Sequence, residues 1–134
     1  MEKDITLKIV GTQVADDGTK DSQTTIQKGK YYKKNEKGYV FIEDEITSEN
    51  SRYVFNHRSI EILRNGDIGG KLIFETGREH KANYRTPYGR MDLIFKTGQY
   101  TLTETADNIC IEIAYCIYNQ NALLSENHTM IIIE

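Results

Sequence analysis

Helical periodicity is almost absent from this 134-residue chain, and so are proline, long aliphatic runs and clustered metal-binding side chains. Without apolar residues spaced three and four apart, a helical fold is excluded. The single proline, Pro87, leaves the rest of the chain free to form ladders. The longest strictly aliphatic run, residues 130–133, is far too short to span a membrane. The start, Met1-Glu2-Lys3-Asp4, is charged and has no apolar signal-peptide core, so the cytoplasm is the expected compartment. His57, His80 and His128 lie apart without zinc-type spacing, so no metal site is expected. Neither glycine-bearing segment, 65–70 or 97–98, precedes a helix, which excludes a phosphate-cradling loop. No cofactor is implied.

Cysteine is scarce too, with Cys110 and Cys116 on one expected strand and one face of it. Strand rise places them roughly 20 Å apart. A disulfide needs Cα atoms within about 7 Å, so the two do not pair within one chain. A reactive thiol would need a neighbouring cation or base, and Glu112 raises a thiol pKa instead. The plain reading is a pair of half-buried thiols.

What the chain has in abundance is alternation. From Ile5 to Ile133 apolar residues recur at every second position in short runs. The pattern predicts strands over 4–12, 24–33, 39–46, 53–57, 59–64, 71–75, 79–86, 88–96, 100–105, 109–118 and 123–133. Asp16-Asp17-Gly18, Asn35-Glu36-Lys37-Gly38, Asn65-Gly66-Asp67 and Asn119-Gln120-Asn121 read as turns between them. Gly29 is expected to mark a bulge or kink, and Thr97-Gly98 a short connection. The expected architecture is all-β, an antiparallel up-and-down barrel of about eight to eleven strands with little or no helix, closed as a meander; a sandwich is the alternative. With 38% hydrophobic and 28% charged residues, residues 1–134 form one globular domain with no repeat or linker.

Side chains in a strand alternate between faces, so parity identifies polar residues that share a face with the core. Asp44 interrupts the stripe of Val40, Ile42 and Ile46, and Arg64 ends that of Ile60 and Ile62. An unpaired buried charge is too costly to keep, so either the two meet in a structural pair or each sits at an open rim. At a rim, Arg64 could anchor a ligand. His80, Ala82, Tyr84 and Thr86 form a second inward set beside Leu72 and Phe74. A histidine and a tyrosine near an arginine are compatible with acid–base chemistry. No spacing ties them to a nucleophile, however, and a lone histidine is more often structural, so no catalytic residue is assigned.

On the outside, Lys28, Lys30, Lys33, Lys34 and Lys37 interleave with Tyr31 and Tyr32, and Arg78, Lys81, Arg85 and Arg90 surround Tyr84 and Tyr88. Such faces bind single-stranded nucleic acid in some proteins. They equally keep exposed strands soluble, and the net charge of -3 argues against general affinity for nucleic acid.

Several local motifs coincide with one family. Ile5-Thr6-Leu7, Gly29-Lys30-Tyr31-Tyr32, Arg64-Asn65-Gly66, Tyr84-Arg85-Thr86-Pro87-Tyr88-Gly89, Thr97 and Ile113-Ala114-Tyr115 together span most of the chain. On these residues the chain resembles the YwiB-like bacterial proteins, a family of unknown function with calycin-type barrels. The resemblance implies a fold related to lipocalins and fatty-acid-binding proteins and brings no activity with it. Barrels of this kind can enclose one small ligand. The reading that follows is a protein binding a small, partly apolar, anionic molecule inside the barrel, with Arg64, His80, Tyr84, Thr86 and Asp44 as candidate contacts. The alternative is an interaction module that binds a protein or RNA through its outer surface or a strand edge. An enzyme is the third reading, and the oligomeric state is left open.

Overall fold

The computed structural model describes residues 2–43, 50–64, 70–86 and 89–134, with 84–86 described as backbone alone. Its strands are β1 (Lys3–Ala15), β2 (Lys20–Lys34), β3 (Lys37–Glu43), β4 (Asn50–Phe55), β5 (Ser59–Arg64), β6 (Gly70–Glu75), β7 (Glu79–Thr86), β8 (Gly89–Glu104), β9 (Ile109–Asn119) and β10 (Ala122–Ile133). No helix occurs among the described residues. Two hairpins turn through residue pairs with positive φ, Asn35 (53°) with Glu36 (65°) and Gln120 (50°) with Asn121 (69°). Two such residues in a row reproduce the strand twist, which is why these loops need only two residues.

All ladders are antiparallel, in the order β6-β5-β4-β3-β2-β1-β10-β9-β8-β7. The first and last strands pair, and Thr6 and Glu134 exchange backbone hydrogen bonds of 2.9 and 3.0 Å. β6 and β7 follow each other in sequence yet occupy opposite ends of that order, separated by only Thr76, Gly77 and Arg78. So short a link forces the sheet to curl until its edges meet. The result is a nearly closed barrel.

At this seam the turn docks on β8 instead of continuing a ladder between its own strands. Gly77 N–H donates to the Thr97 carbonyl (2.9 Å), and Thr97 N–H to that of Arg78 (3.0 Å). Behind it, Phe74 of β6 packs against Tyr115 (4.6 Å between ring centroids) and edge-on against Phe95 (6.0 Å). Aromatic packing therefore closes from within a joint that backbone pairing leaves open.

β8 runs unbroken through Thr97-Gly98, which the sequence suggests as a connection. Its register against β9 shifts between Thr97 and Gln99, so Gly98 is the extra residue of a bulge, and the backbone groups of Thr97 are taken by the turn. Gly29 is no bulge: it pairs in regular register with both Ile5 and Ile42. A Cβ there would lie 2.3 Å from Ile42 Cδ1 and 2.7 Å from the Phe41 carbonyl oxygen, so close approach explains the glycine. β4 ends at Phe55, short of the expected His57, because Asn56 Oδ1 accepts from the N–H groups of Arg58 (2.8 Å) and Ser59 (3.0 Å) and turns the chain. β1 and β2 run three and four residues beyond the expected strand ends around Asp16-Asp17-Gly18. The expected turn at Asn65-Gly66-Asp67, the end of the 39–46 strand and Pro87 lie outside the described residues.

Candidate functional site

The lumen changes character along its axis, and the β2-β1-β10-β9 wall shows how. Its inward residues stand in rows fixed by register: Thr25-Ile9-Ile131-Ile111, then Gln23-Gly11-Thr129-Ile113, then Asp21-Gln13-Asn127-Tyr115. Successive rows are roughly 7 Å apart. Below the first row lie Gln27, Leu7 and Ile133, and Leu7, Val40, Ile42, Ile60 and Ile111 are fully buried. Above it the aliphatic side chains give way to amides, hydroxyls and a glycine.

That change opens a cup of about 520 Å³. Ile9, Ile62, Leu72, Phe74, Ile113 and Ile131 make its apolar floor and sides, and Gln13, Gln23, Gln27, Ser51, Asn127 and Thr129 its polar wall. Asn127 Nδ2 donates to the buried Ser125 Oγ (2.9 Å), and Thr129 Oγ1 donates to Tyr115 Oη (3.4 Å). Both contacts fix the side chains that line the cup.

Arg64, at the end of β5, lines the same cup, as its parity predicts. Its guanidinium lies beside the phenol of Tyr53, which is 2% exposed. Burial pushes the Tyr53 phenol up, and the adjacent Arg64 charge partly opposes that shift. The phenol stays neutral at physiological pH and offers the guanidinium no counter-charge. Among the described residues no carboxylate forms an ion pair with Arg64.

The other candidate residues distribute differently. His80 is half-buried, and its Nε2 lies 3.0 Å from the Lys71 carbonyl oxygen, a hydrogen bond from β7 to β6 across the seam. Its ring is engaged in closing the barrel and is not among the residues lining the cup with Arg64. The backbones of Tyr84 and Thr86 pair with Met91 and Gly89. Their side chains and Asp44, hence the suggested Asp44–Arg64 pair, lie outside what is described. Sequence reasoning missed the amide wall and Tyr53. The same parity rule could have found the wall, since Gln23, Thr25 and Gln27 lead into Tyr31, and Asn127 and Thr129 into Ile131 and Ile133. Polar residues beyond an apolar stripe read as the end of a strand when they are its continuation.

No group of three or more potential metal ligands occurs among the described residues. Cys110 and Cys116 are free; burial raises both thiol pKa values, with Glu112 adding to the first and Glu126 to the second. On the outer face, Tyr32 stacks on Tyr39 (4.8 Å, 6°), Arg52 sits 5.7 Å over the Tyr39 ring, and Phe41 is 44% exposed. Two of the five lysines of that stripe are engaged, Lys30 with Asp4 and Lys28 with Thr6.

A solved structure, that of the ywiB protein from Bacillus subtilis, superposes with a TM-score of 0.83 over 99% of this chain and 92% of that one, at 22% identity. At that identity the likeness establishes the barrel fold. Among curated proteins none matches the sequence significantly. Residues 7–131 match the profile of the domain of unknown function DUF1934, nearly the whole barrel from β1 to β10. The chain belongs to the DUF1934 family.

Proposed function

We propose that this barrel binds a small anionic molecule in the open half of its lumen. The observation that carries the reading is the cup itself, about 520 Å³ with the Arg64 guanidinium at its wall above an apolar floor. Small-molecule sites typically fall between about 300 and 1,000 Å³ and combine apolar walls with a few placed polar groups. Arg64 supplies the charge beside Tyr53, and Ile62, Leu72 and Phe74 take the apolar part of the ligand. His80 supports the site from the seam by holding β7 to β6. Tyr84, Thr86 and Asp44 remain candidates for contacts from the neighbouring strands. The cytoplasm is the compartment we assign, in keeping with two free thiols.

Native mass spectrometry of freshly purified protein tests the reading. A retained small molecule should appear as a mass increment that Arg64→Ala lowers and Gly11→Phe abolishes. An increment that survives Gly11→Phe unchanged places the ligand elsewhere and overturns the proposal.

A second reading has its own observation. The Tyr32–Tyr39 stack, exposed Phe41 and Arg52 form an aromatic and cationic surface over β2, β3 and β4 suited to a protein or RNA partner. Replacing Phe41 and Arg52 with serine should then abolish co-purification of that partner and leave the cup's ligand in place.

A further inference from the structure

The wall of the cup is wrong for an acyl chain. Gln13, Gln23, Gln27 and Asn127 each present a donor and an acceptor on one group, and Thr25, Thr129 and Ser51 add hydroxyls. Among the described residues no hydrogen bond engages the amides of Gln13, Gln23 and Gln27, while Asn127 is oriented by Ser125. An alkyl tail laid against this wall would strip water from these amides and return no hydrogen bond, a cost that grows with each group covered. Vicinal hydroxyls present the same alternation of donor and acceptor that a carboxamide presents. Water aside, a polyhydroxylated chain or ring is the chemistry that pairs with such a surface.

Two further features orient it. In a ring of ten strands β5 and β10 are five apart in either direction, so Arg64 stands across the lumen from Asn127 and Thr129. Asp21, on the same wall as Gln13 and Gln23, accepts hydrogen bonds from hydroxyls and repels an anion. The charged end therefore belongs at Arg64 and the hydroxyls at the β1, β2 and β10 wall. The floor of Phe74, Leu72 and Ile62 suits the C–H face of such a molecule.

We infer that the ligand of the cup is a polyhydroxylated anion, the class of sugar acids and phosphorylated sugars, in place of the fatty acid that calyx-shaped barrels suggest. This rests on the cup being a binding site at all.

Nitrogen-15 NMR titrations with gluconate, glucose 6-phosphate, decanoate and inorganic phosphate test it. Gluconate or glucose 6-phosphate should move the side-chain amide signals of Gln23 and Asn127 and bind at least about tenfold more tightly than phosphate or decanoate. Gln23→Ala should weaken the sugar probe by about two- to tenfold, the worth of one neutral hydrogen bond, without lowering the melting temperature, and Asn127→Ala should weaken it as much while also lowering the melting temperature through the lost bond to Ser125. Decanoate binding in the cup more tightly than both sugar probes overturns the inference and leaves the cup reading standing. If no probe moves a cup signal, the inference falls. The cup reading is then decided separately, by whether the mass increment of purified protein disappears in Gly11→Phe.

Discussion

The two halves of the lumen are built by the same strands, with the same parity, and differ in what their inward side chains can bury. Along β1 the sequence of inward residues is Ile5, Leu7, Ile9, then Gly11 and Gln13; along β10, read in the opposite direction, it is Ile133, Ile131, then Thr129 and Asn127. In the first half branched aliphatic side chains meet across the axis: Val40 and Ile60 are wholly inaccessible, and Ile111 with them. In the second half the glycine and the polar residues leave a cavity of about 520 Å³. A barrel of this size is thus a plug or a cup according to a few residues per row, with no change in backbone. The packed half supplies stability and the open half is free to supply recognition.

The comparison breaks first at the packed half. Ile111→Ala removes a fully buried side chain that the surrounding strands cannot collapse to replace, and should cost about 2–5 kcal/mol in urea denaturation. A loss below about 1 kcal/mol would mean that the plug does not hold the barrel together. Gly29→Ala comes next, because its Cβ would meet the Phe41 carbonyl as well as Ile42; the clash should cost about 1–3 kcal/mol, read in the same denaturation experiment. Unchanged stability would show that β2 and β3 separate easily. His80→Phe probes the seam between β6 and β7. Loss of its bond to the Lys71 carbonyl should cost about 1 kcal/mol and accelerate amide exchange across β6 and β7 more than across β1 and β10. Uniform acceleration would show that the seam is no weaker than the rest.

Much of this contrast was legible in the residues, and the rest was not for definite reasons. Period-two alternation locates the strands because burial of one face depends on that period alone, and β5 and β7 coincide with expectation residue for residue. The Asn119-Gln120-Asn121 turn was legible because asparagine tolerates a left-handed backbone. The bulge at Gly98 was not, since a glycine in a strand looks the same whether the chain turns there or gains one unpaired residue. Gly29 was misleading for the opposite reason: the close approach that requires it comes from Ile42, distant in sequence. Of the site, Arg64 was visible as a charge closing an apolar stripe. His80 shared an inward parity, yet parity cannot distinguish a lumen from a seam, which depends on where the sheet closes. The amide wall was hidden by the rule that ended strands where hydrophobicity ended.

The smallest expected effect on stability is also the sharpest test of the division between plug and cup. Gly11 lies in a regular stretch of β1, paired with Thr129 on one side and Gln23 on the other, and a Cβ built on it meets no atom within 4 Å. Phenylalanine suits an extended backbone, and glycine weakens a strand interior, so Gly11→Phe should change the unfolding free energy by less than about 1 kcal/mol. Its ring projects into the space that a ligand would occupy. If the open half serves recognition, this variant keeps the barrel and loses the bound molecule, the reverse of Ile111→Ala in a molecule of the same fold. Should Gly11→Phe unfold the protein as severely as Ile111→Ala, the upper lumen is a second packed layer and the division between the two halves disappears.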